Sequence, residues 1–195
     1  MAKNKIGILF SGGLESTCLL NHYKKLNYDI YPLYIKYGYH WENTELLYAN
    51  KIINYYNLDL YILDYSNILK VSQLGNVTNS NENTIPLRNL SLFTFSSMYF
   101  FNKNISQIAI GLQGSKDYPD TSLEYIKNSE LLIQKGLGTN FSILLPFYGL
   151  SKEDIYKLNK DIPTKLIFSC TNPINNQMCR KCYKCLLLNN LLKGV

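Results

Sequence analysis

The chain is short of arginine. Only Arg88 and Arg180 are arginines among its 20 basic residues, and the 18 lysines are scattered along its length. A net charge of +6 spread in this way lacks the clustered stripe that nucleic-acid recognition uses, so nucleic acid is not expected as a partner. Long apolar runs are also missing, which argues against a membrane span. The opening residues "MAKNKIGILFSGG" pass directly into an apolar run and leave no room for a cleavable leader, so the expected location is the cytoplasm. Two phosphate-binding strings are absent. No Gly-x-x-x-x-Gly-Lys-Ser/Thr occurs, and Gly136-Leu137-Gly138 does not continue into Gly-x-Gly-x-x-Gly. With 17% charged and 46% hydrophobic residues the composition is that of a folded chain, and 195 residues are most simply one domain spanning 1–195.

What is present near the start is "ILFSGGLESTCLL". Ile6 to Phe10 reads as a buried strand, and Thr17 to Leu26 carries apolar residues at helical spacing. Ser11-Gly12-Gly13 therefore falls at a strand-to-helix turn, where backbone N–H groups at the positive end of a helix attract an anion and no Cβ stands in its way. Without a Walker lysine, such a turn suits the pyrophosphate unit of ATP cleaved between its α and β phosphates. Two glycines also occur in βα turns for geometry alone.

Further along, Asp29 to Tyr37 reads as a second strand, Glu42 to Tyr56 as a helix with Leu46, Leu47, Ala49, Ile52 and Ile53 near one face, and Leu58 to Leu63 as a third strand. Residues 72–89, "SQLGNVTNSNENTIPLRN", are polar and without periodicity, as expected of a functional lid or a disordered loop. Leu90 to Phe101 returns as a helix, Ser106 to Gly111 as a strand, Leu123 to Gln134 as a helix, and Ser142 to Phe147 as a last strand. Ser151 and Asp154 form a capping pattern before a short helix. Strands alternating with helices predict an α/β fold with a doubly wound, mainly parallel sheet. Its ligands would bind at the carboxyl ends of the strands.

Four of five cysteines fall in residues 170–185: Cys170, Cys179, Cys182 and Cys185. Two overlapping C-x-x-C steps with a fourth thiolate across a short loop suit a tetrahedral zinc site; an iron–sulfur cluster also takes four thiolates, and disulfides do not suit a cytosolic chain. Beside the C-terminus, a bound metal would fold Leu186 to Leu192 onto the domain. Cys18 reads as a core residue, and His22 and His40 as structural.

Taken together, "FSGGLEST", "IKYGYHWENTELLYA", "IPLRNLSLFTFSSMYF", "GLQGSKDYPD", "LLPFYGLSKEDIYKL" and "SCTNPINNQMCRKCYKC" resemble, in order, the motifs of the 7-cyano-7-deazaguanine synthases (QueC) of the PP-loop ATP pyrophosphatase superfamily, which have an adenine nucleotide alpha hydrolase-like fold. The resemblance covers nearly the whole chain. It implies an ATP-dependent C–N ligase that adenylates the carboxylate of 7-carboxy-7-deazaguanine, lets ammonia displace AMP, and activates the resulting amide with a second ATP to form the nitrile used in queuosine biosynthesis. It further implies ATP, Mg²⁺ and Zn²⁺ as cofactors and a homodimer. Ser11, Gly12, Gly13, Leu14, Ser16 and Thr17 would then hold ATP, with Glu15 placing Mg²⁺. Arg88 would clamp phosphate or the substrate carboxylate, as the only arginine outside the cysteine tail. Asn89 and Asp120 would face the substrate, Asp120 accepting from the exocyclic amine of a guanine-like base. Tyr37 and Tyr118 would stack on that base, although either tyrosine also suits the core or the surface. Asp117 or Asp120 equally suits capping the helix that follows.

The chain departs from the family pattern at identifiable places. Glu15 stands where the loop has Asp, Gly38-Tyr39-His40 where it has Gly-Gln-Arg, Thr121-Ser122 where Cys-Arg follows Tyr-Pro-Asp, and Gly114 where a carboxylate is common. No arginine follows the last cysteine in "CLLLNN". Three cationic positions are thus absent, with Lys36, Lys116 and Lys184 as the lysines able to stand in. One alternative is a QueC-like relative that passes a deazapurine acid to another nucleophile, such as a protein amine in a defence or modification system. The other is a zinc-ribbon module binding RNA, which the complete α/β pattern ahead of the cysteines opposes.

Overall fold

A computed structural model describes residues 3–69, 85, 87–115 and 118–193. Five parallel strands, β1 (Lys5–Leu9), β2 (Asp29–Lys36), β3 (Tyr61–Asp64), β4 (Gln107–Ala109) and β5 (Ser142–Leu144), lie in the order β3-β2-β1-β4-β5. The helices are α1 (Leu14–Lys25), α2 (Glu42–Tyr55), α3 (Ser66–Leu69), α4 (Arg88–Phe101), α5 (Leu123–Leu137), α6 (Lys152–Lys157) and α7 (Tyr183–Lys193). This is the doubly wound α/β architecture that the alternation of apolar runs predicts.

The two-residue period of β1 sorts its side chains onto two cores. Ile6, Ile8 and Phe10 pack with Cys18, Leu19 and Leu20 of α1, Ala49, Ile52 and Ile53 of α2, Ile155 of α6, and Leu188 and Leu191 of α7. Leu9 packs on the opposite face with Leu33, Ile35, Phe93 and Phe100 of α4, and Ile126 and Ile133 of α5. Gly7 also faces this second core. A Cβ there would overlap the Phe100 ring, so the missing side chain is what lets α4 lie against the sheet.

Several boundaries differ from the sequence reading. Helix α1 begins at Leu14, directly after the glycines, because backbone geometry rather than apolar spacing starts it. Strand β3 starts at Tyr61, since Asn57 turns the chain with φ 54° after α2 and the residues up to Leu60 serve as a connector. Strands β4 and β5 are short, and beyond β5 Pro146 lacks the N–H that would extend the ladder. Leu47 is 42% exposed and not part of the buried face of α2. Ser151 caps α6 as expected, its hydroxyl accepting from the amide of Asp154 at 3.1 Å. Most of the 72–89 segment lies outside the described residues, but Arg88 and Asn89 open α4 and do not belong to a loop.

Candidate functional site

The chain moves from β1 outward to β2 and β3, then crosses back to β4 and β5, so the strand order reverses between β1 and β4. That reversal leaves a crevice at the carboxyl ends of the strands, the usual ligand position in such sheets. Into it runs the Ser11–Gly13 turn. Gly12 has φ +78°, and a Cβ on it would stand 3.0 Å from the Ala49 backbone, so only glycine fits both the conformation and the close approach of α2. The carbonyl of Gly12 accepts from the Phe168 amide at 3.1 Å, which ties the C-terminal segment to the loop.

Two serines brace the turn from inside. The Ser11 amide donates to Ser16 Oγ, the two hydroxyl oxygens lie 3.3 Å apart, and Ser11 Oγ accepts from the Gly13 amide. No side chain caps the N-terminus of α1, so its first-turn amides are left for a ligand.

Two cavities of about 230 Å³ each open on either side of this loop and share Ser11, Glu15 and Glu45. The first lies over the strand ends and is bounded by Ser16, Tyr37, Arg88, Asn89 and Gly111 among others. The second lies between the loop, α6 and the C-terminal segment, and takes in Gly13, Leu14, Lys152, Phe168 and Lys184. The structure therefore brings Ser11, Gly13, Leu14, Glu15, Ser16, Tyr37, Arg88 and Asn89 to one crevice.

Three expected site residues stand elsewhere. Thr17 is fully buried and its hydroxyl donates to the Gly13 carbonyl at 2.7 Å, turned back into the helix. Tyr118 is 40% exposed and, like Asp120, lines neither cavity. Asp120 does not cap the helix that follows it; Ser122 does, accepting from the Tyr125 amide. Its carboxylate instead accepts from the Asn89 amide at 3.4 Å, while its carbonyl accepts from Asn89 Nδ2 at 3.3 Å. Asp120 thus supplies α4 with the N-terminal acceptor that Leu87, in the left-handed region with φ 59°, cannot provide. Asp117 and Lys116 lie outside the described residues. Tyr37 is buried, with its hydroxyl 2.7 Å from Ser91 Oγ, so much of its ring belongs to the core.

Three charged groups of the crevice, Glu42, Glu45 and Lys152, escaped the motif reading, and a fourth, Lys184, is one of the lysines it named as able to stand in for a missing cation. Glu42 accepts from the amides of Tyr37 and Gly38 at 2.7 and 2.8 Å and so holds the turn after β2. Burial raises its carboxyl pKa, and those two hydrogen bonds oppose the rise. Glu45 accepts from the Tyr34 hydroxyl at 2.6 Å; burial raises its pKa as well, against the pull of that hydrogen bond, Lys184 and Arg88. Lys152 pairs with Glu15 at 2.6 Å, and the only sign of it in sequence was its place inside the Ser151 capping pattern. Lys184 is exposed but lines the second cavity, its ammonium 5.7 Å from the Trp41 ring, and desolvation there lowers its pKa. Lys36, by contrast, pairs with Asp64 at 3.3 Å, away from both cavities.

Behind the second cavity, the sulfurs of Cys170, Cys179, Cys182 and Cys185 all lie within 4.8 Å of one another. The pairs Cys179–Cys185 and Cys170–Cys182 are each 3.9 Å apart. A tetrahedron with metal–sulfur bonds of about 2.3 Å has edges of about 3.8 Å, so the set fits one tetrahedral ion. Backbone amides already point at the sulfurs: those of Asn172 and Cys179 at Cys170, and those of Lys181 and Cys182 at Cys179. Such donors stabilise thiolate charge. Cys18 stands apart in the core, its thiol pushed up to about 12 by burial.

Residues 5–194 match the family model described as queuosine biosynthesis protein QueC. The chain belongs to the QueC family. Among curated QueC relatives, it is 32% identical to 7-cyano-7-deazaguanine synthase 1 of Desulfitobacterium hafniense (strain Y51), covering 95% of this chain and 90% of that protein. It is 28% identical to the 7-cyano-7-deazaguanine synthase of Buchnera aphidicola subsp. Schizaphis graminum, covering 95% and 89%. Solved structures share the fold at lower identity. A 4-thiouridine synthetase in complex with RNA and ATP superposes with a TM-score of 0.61 at 16% identity, over 98% of this chain and 50% of that one. NMN synthetase from Francisella tularensis gives 0.53 at 15% identity, over 99% and 78%. The fold of this QueC member is thus the PP-loop, adenine nucleotide alpha hydrolase-like fold, with a four-cysteine cluster able to hold a metal. Its curated relatives are named 7-cyano-7-deazaguanine synthases. No helix among the described residues is long and apolar enough to cross a membrane.

Proposed function

We propose that this chain is a C–N ligase that activates 7-carboxy-7-deazaguanine with ATP, releases AMP and pyrophosphate, and uses ammonia on the way to 7-cyano-7-deazaguanine. The observation that carries this reading is the uncapped α1 N-terminus at the point of strand-order reversal, facing Arg88 across one cavity and Lys152 across the other. In the first step the carboxylate oxygen attacks the α-phosphorus and the bond to pyrophosphate breaks. Ammonia then attacks the acyl carbon, AMP departs, and a proton is lost, leaving the amide. In the second cycle the amide oxygen attacks the α-phosphorus of another ATP and pyrophosphate departs, and loss of AMP and of both amide N–H protons leaves the nitrile.

The chain's own residues bind and orient through these steps. The loop amides and the Ser11 and Ser16 hydroxyls hold phosphate oxygens, and Arg88 offers a two-pronged donor to the carboxylate as it becomes an acyl phosphate. Among the described residues Arg88 has no ion-pair partner within 4.0 Å, so it is available to a ligand. Asn89 and Asp120 position the start of α4, and with it Arg88, rather than touch the base. Glu15 and Glu45 are the carboxylates at the loop suited to Mg²⁺, which supplies charge neutralisation on the phosphates when bound. The cysteine set would hold Zn²⁺, because sulfurs 3.9 Å apart leave room for one ion rather than a four-iron cube. Residues 1–195 would act as one domain, with residues 170–185 as its metal-binding segment.

The test is to incubate the protein with 7-carboxy-7-deazaguanine, ATP, Mg²⁺ and ammonium and to follow products by mass. Acid-dependent AMP and a nitrile are expected, with Arg88→Ala losing both. Release of ADP and phosphate would overturn the reaction type. Accumulation of adenylate or amide would favour transfer to another nucleophile, the outcome suggested by the missing family cations beside the acceptor.

A further inference from the structure

We infer that Lys184, carried into the crevice by the cysteine segment, is a pyrophosphate-binding residue that works opposite Lys152 across the Ser11–Gly13 loop. The inference rests on reading that loop as the ATP site and names a residue that the family pattern does not supply.

The second cavity is where the charges converge. It is bounded by Ser11, Gly13, Glu15, Glu45, Lys152 and Lys184. Lys152 is paired with a carboxylate, whereas Lys184 has carboxylates only at longer electrostatic range. Lys152 pairs directly with Glu15 at 2.6 Å, and the charged neighbours of Lys184 are Glu45, Arg88, Lys152 and Glu15. Two amines and two carboxylates line this chamber. A magnesium-bound polyphosphate would use all four groups: the amines turn to phosphate oxygens and the carboxylates to the cation. A lone carboxylate ligand would satisfy one lysine and leave the rest of the arrangement unused.

The position of Lys184 follows from how the tail folds. It lies four residues before Leu188 and seven before Leu191, so all three share one face of α7. Leu188 and Leu191 are buried against the main core, which fixes that face toward the loop. Cys185 closes the cysteine cluster from the adjacent position, and the Lys184 ammonium lies over the Trp41 ring at 5.7 Å. Lys193, at the end of the same helix, is exposed and lines neither cavity.

The experiment titrates inorganic pyrophosphate with Mg²⁺ into the full chain by calorimetry, and measures the metal content of every variant. Lys184→Ala is expected to weaken binding about tenfold or more with metal content unchanged, Lys184→Arg to stay within about threefold of the parent, and Lys193→Ala to match it. In turnover, Lys184→Ala should raise the KM for ATP and leave that for the acid unchanged. Parent-like pyrophosphate binding by Lys184→Ala overturns the proposal. So does equal loss in the Ala and Arg variants with loss of metal, which would make the effect one of folding, and so does absence of binding in the parent. Pyrophosphate binding that depends on Lys184, found together with no acid-dependent AMP release, would sink the substrate reading while supporting the lysine's role.

Discussion

Lys152 Nζ lies 2.6 Å from Glu15 Oε1, joining the first turn of α6 to the first turn of α1 at the edge of the phosphate loop. With side chains 47% and 24% exposed, the pair contributes less than about 1 kcal/mol to stability. Its consequence is therefore functional. Lys152→Ala should leave the melting temperature within about 4 °C of the parent and lower AMP formation about tenfold or more. A large drop in melting temperature with unchanged turnover would assign the pair to stability alone.

The cysteine cluster should carry one metal ion per chain, and its removal should loosen α7. Leu188 and Leu191 dock that helix on the core, so a strong chelator is expected to lower the melting temperature and reduce ATP binding together. Cys170→Ser should bind less than one equivalent. Because the ligands are thiolates, metal affinity should fall as pH is lowered. Elemental analysis and thermal melts at several pH values check this, and a metal-free preparation that melts like the untreated protein would refute it.

At the opposite face of the sheet, Gly7→Ala should destabilise the chain by about 1–3 kcal/mol through overpacking, because the new methyl meets the Phe100 ring. Combining it with Phe100→Leu should recover part of the loss. Urea midpoints give the comparison. Additive losses in the double variant would mean that the two side chains do not compete for the same space.

Glu42 provides a pH test. Burial holds its carboxyl above the usual 4.5. The folded chain therefore binds that proton more tightly than the unfolded chain does. The resulting stability is fully present below about pH 4.5 and is lost as pH rises through the folded-state value. Glu42→Gln lacks this titration, so the parent's advantage over the variant should shrink between about pH 4 and pH 7. An advantage that grows instead would mean that the hydrogen bonds from Tyr37 and Gly38 to the charged carboxylate outweigh burial.

The sequence by itself determined the elements and the motifs that are local. Apolar runs bounded by turn residues located β1 and β2, Ser151 announced the start of α6, and four cysteines within residues 170–185 announced a metal-capable cluster, because short loops restrict where their sulfurs can go. The Ser11–Gly13 turn was legible for the same reason, since no other residue tolerates the conformation of Gly12 beside Ala49. Tertiary structure alone decided which charges meet there. Glu45 comes from α2, Lys152 from α6 and Lys184 from α7, and nothing in their spacing relates them to Ser11. They converge because the strand order reverses between β1 and β4, opening the crevice, and because Leu188 and Leu191 bury one face of the C-terminal helix against the sheet's first core. Asp120 shows the same limit from the other side: its neighbours in sequence suggested a cap for α5, and the packing of that turn against α4 made it the acceptor for Asn89 instead.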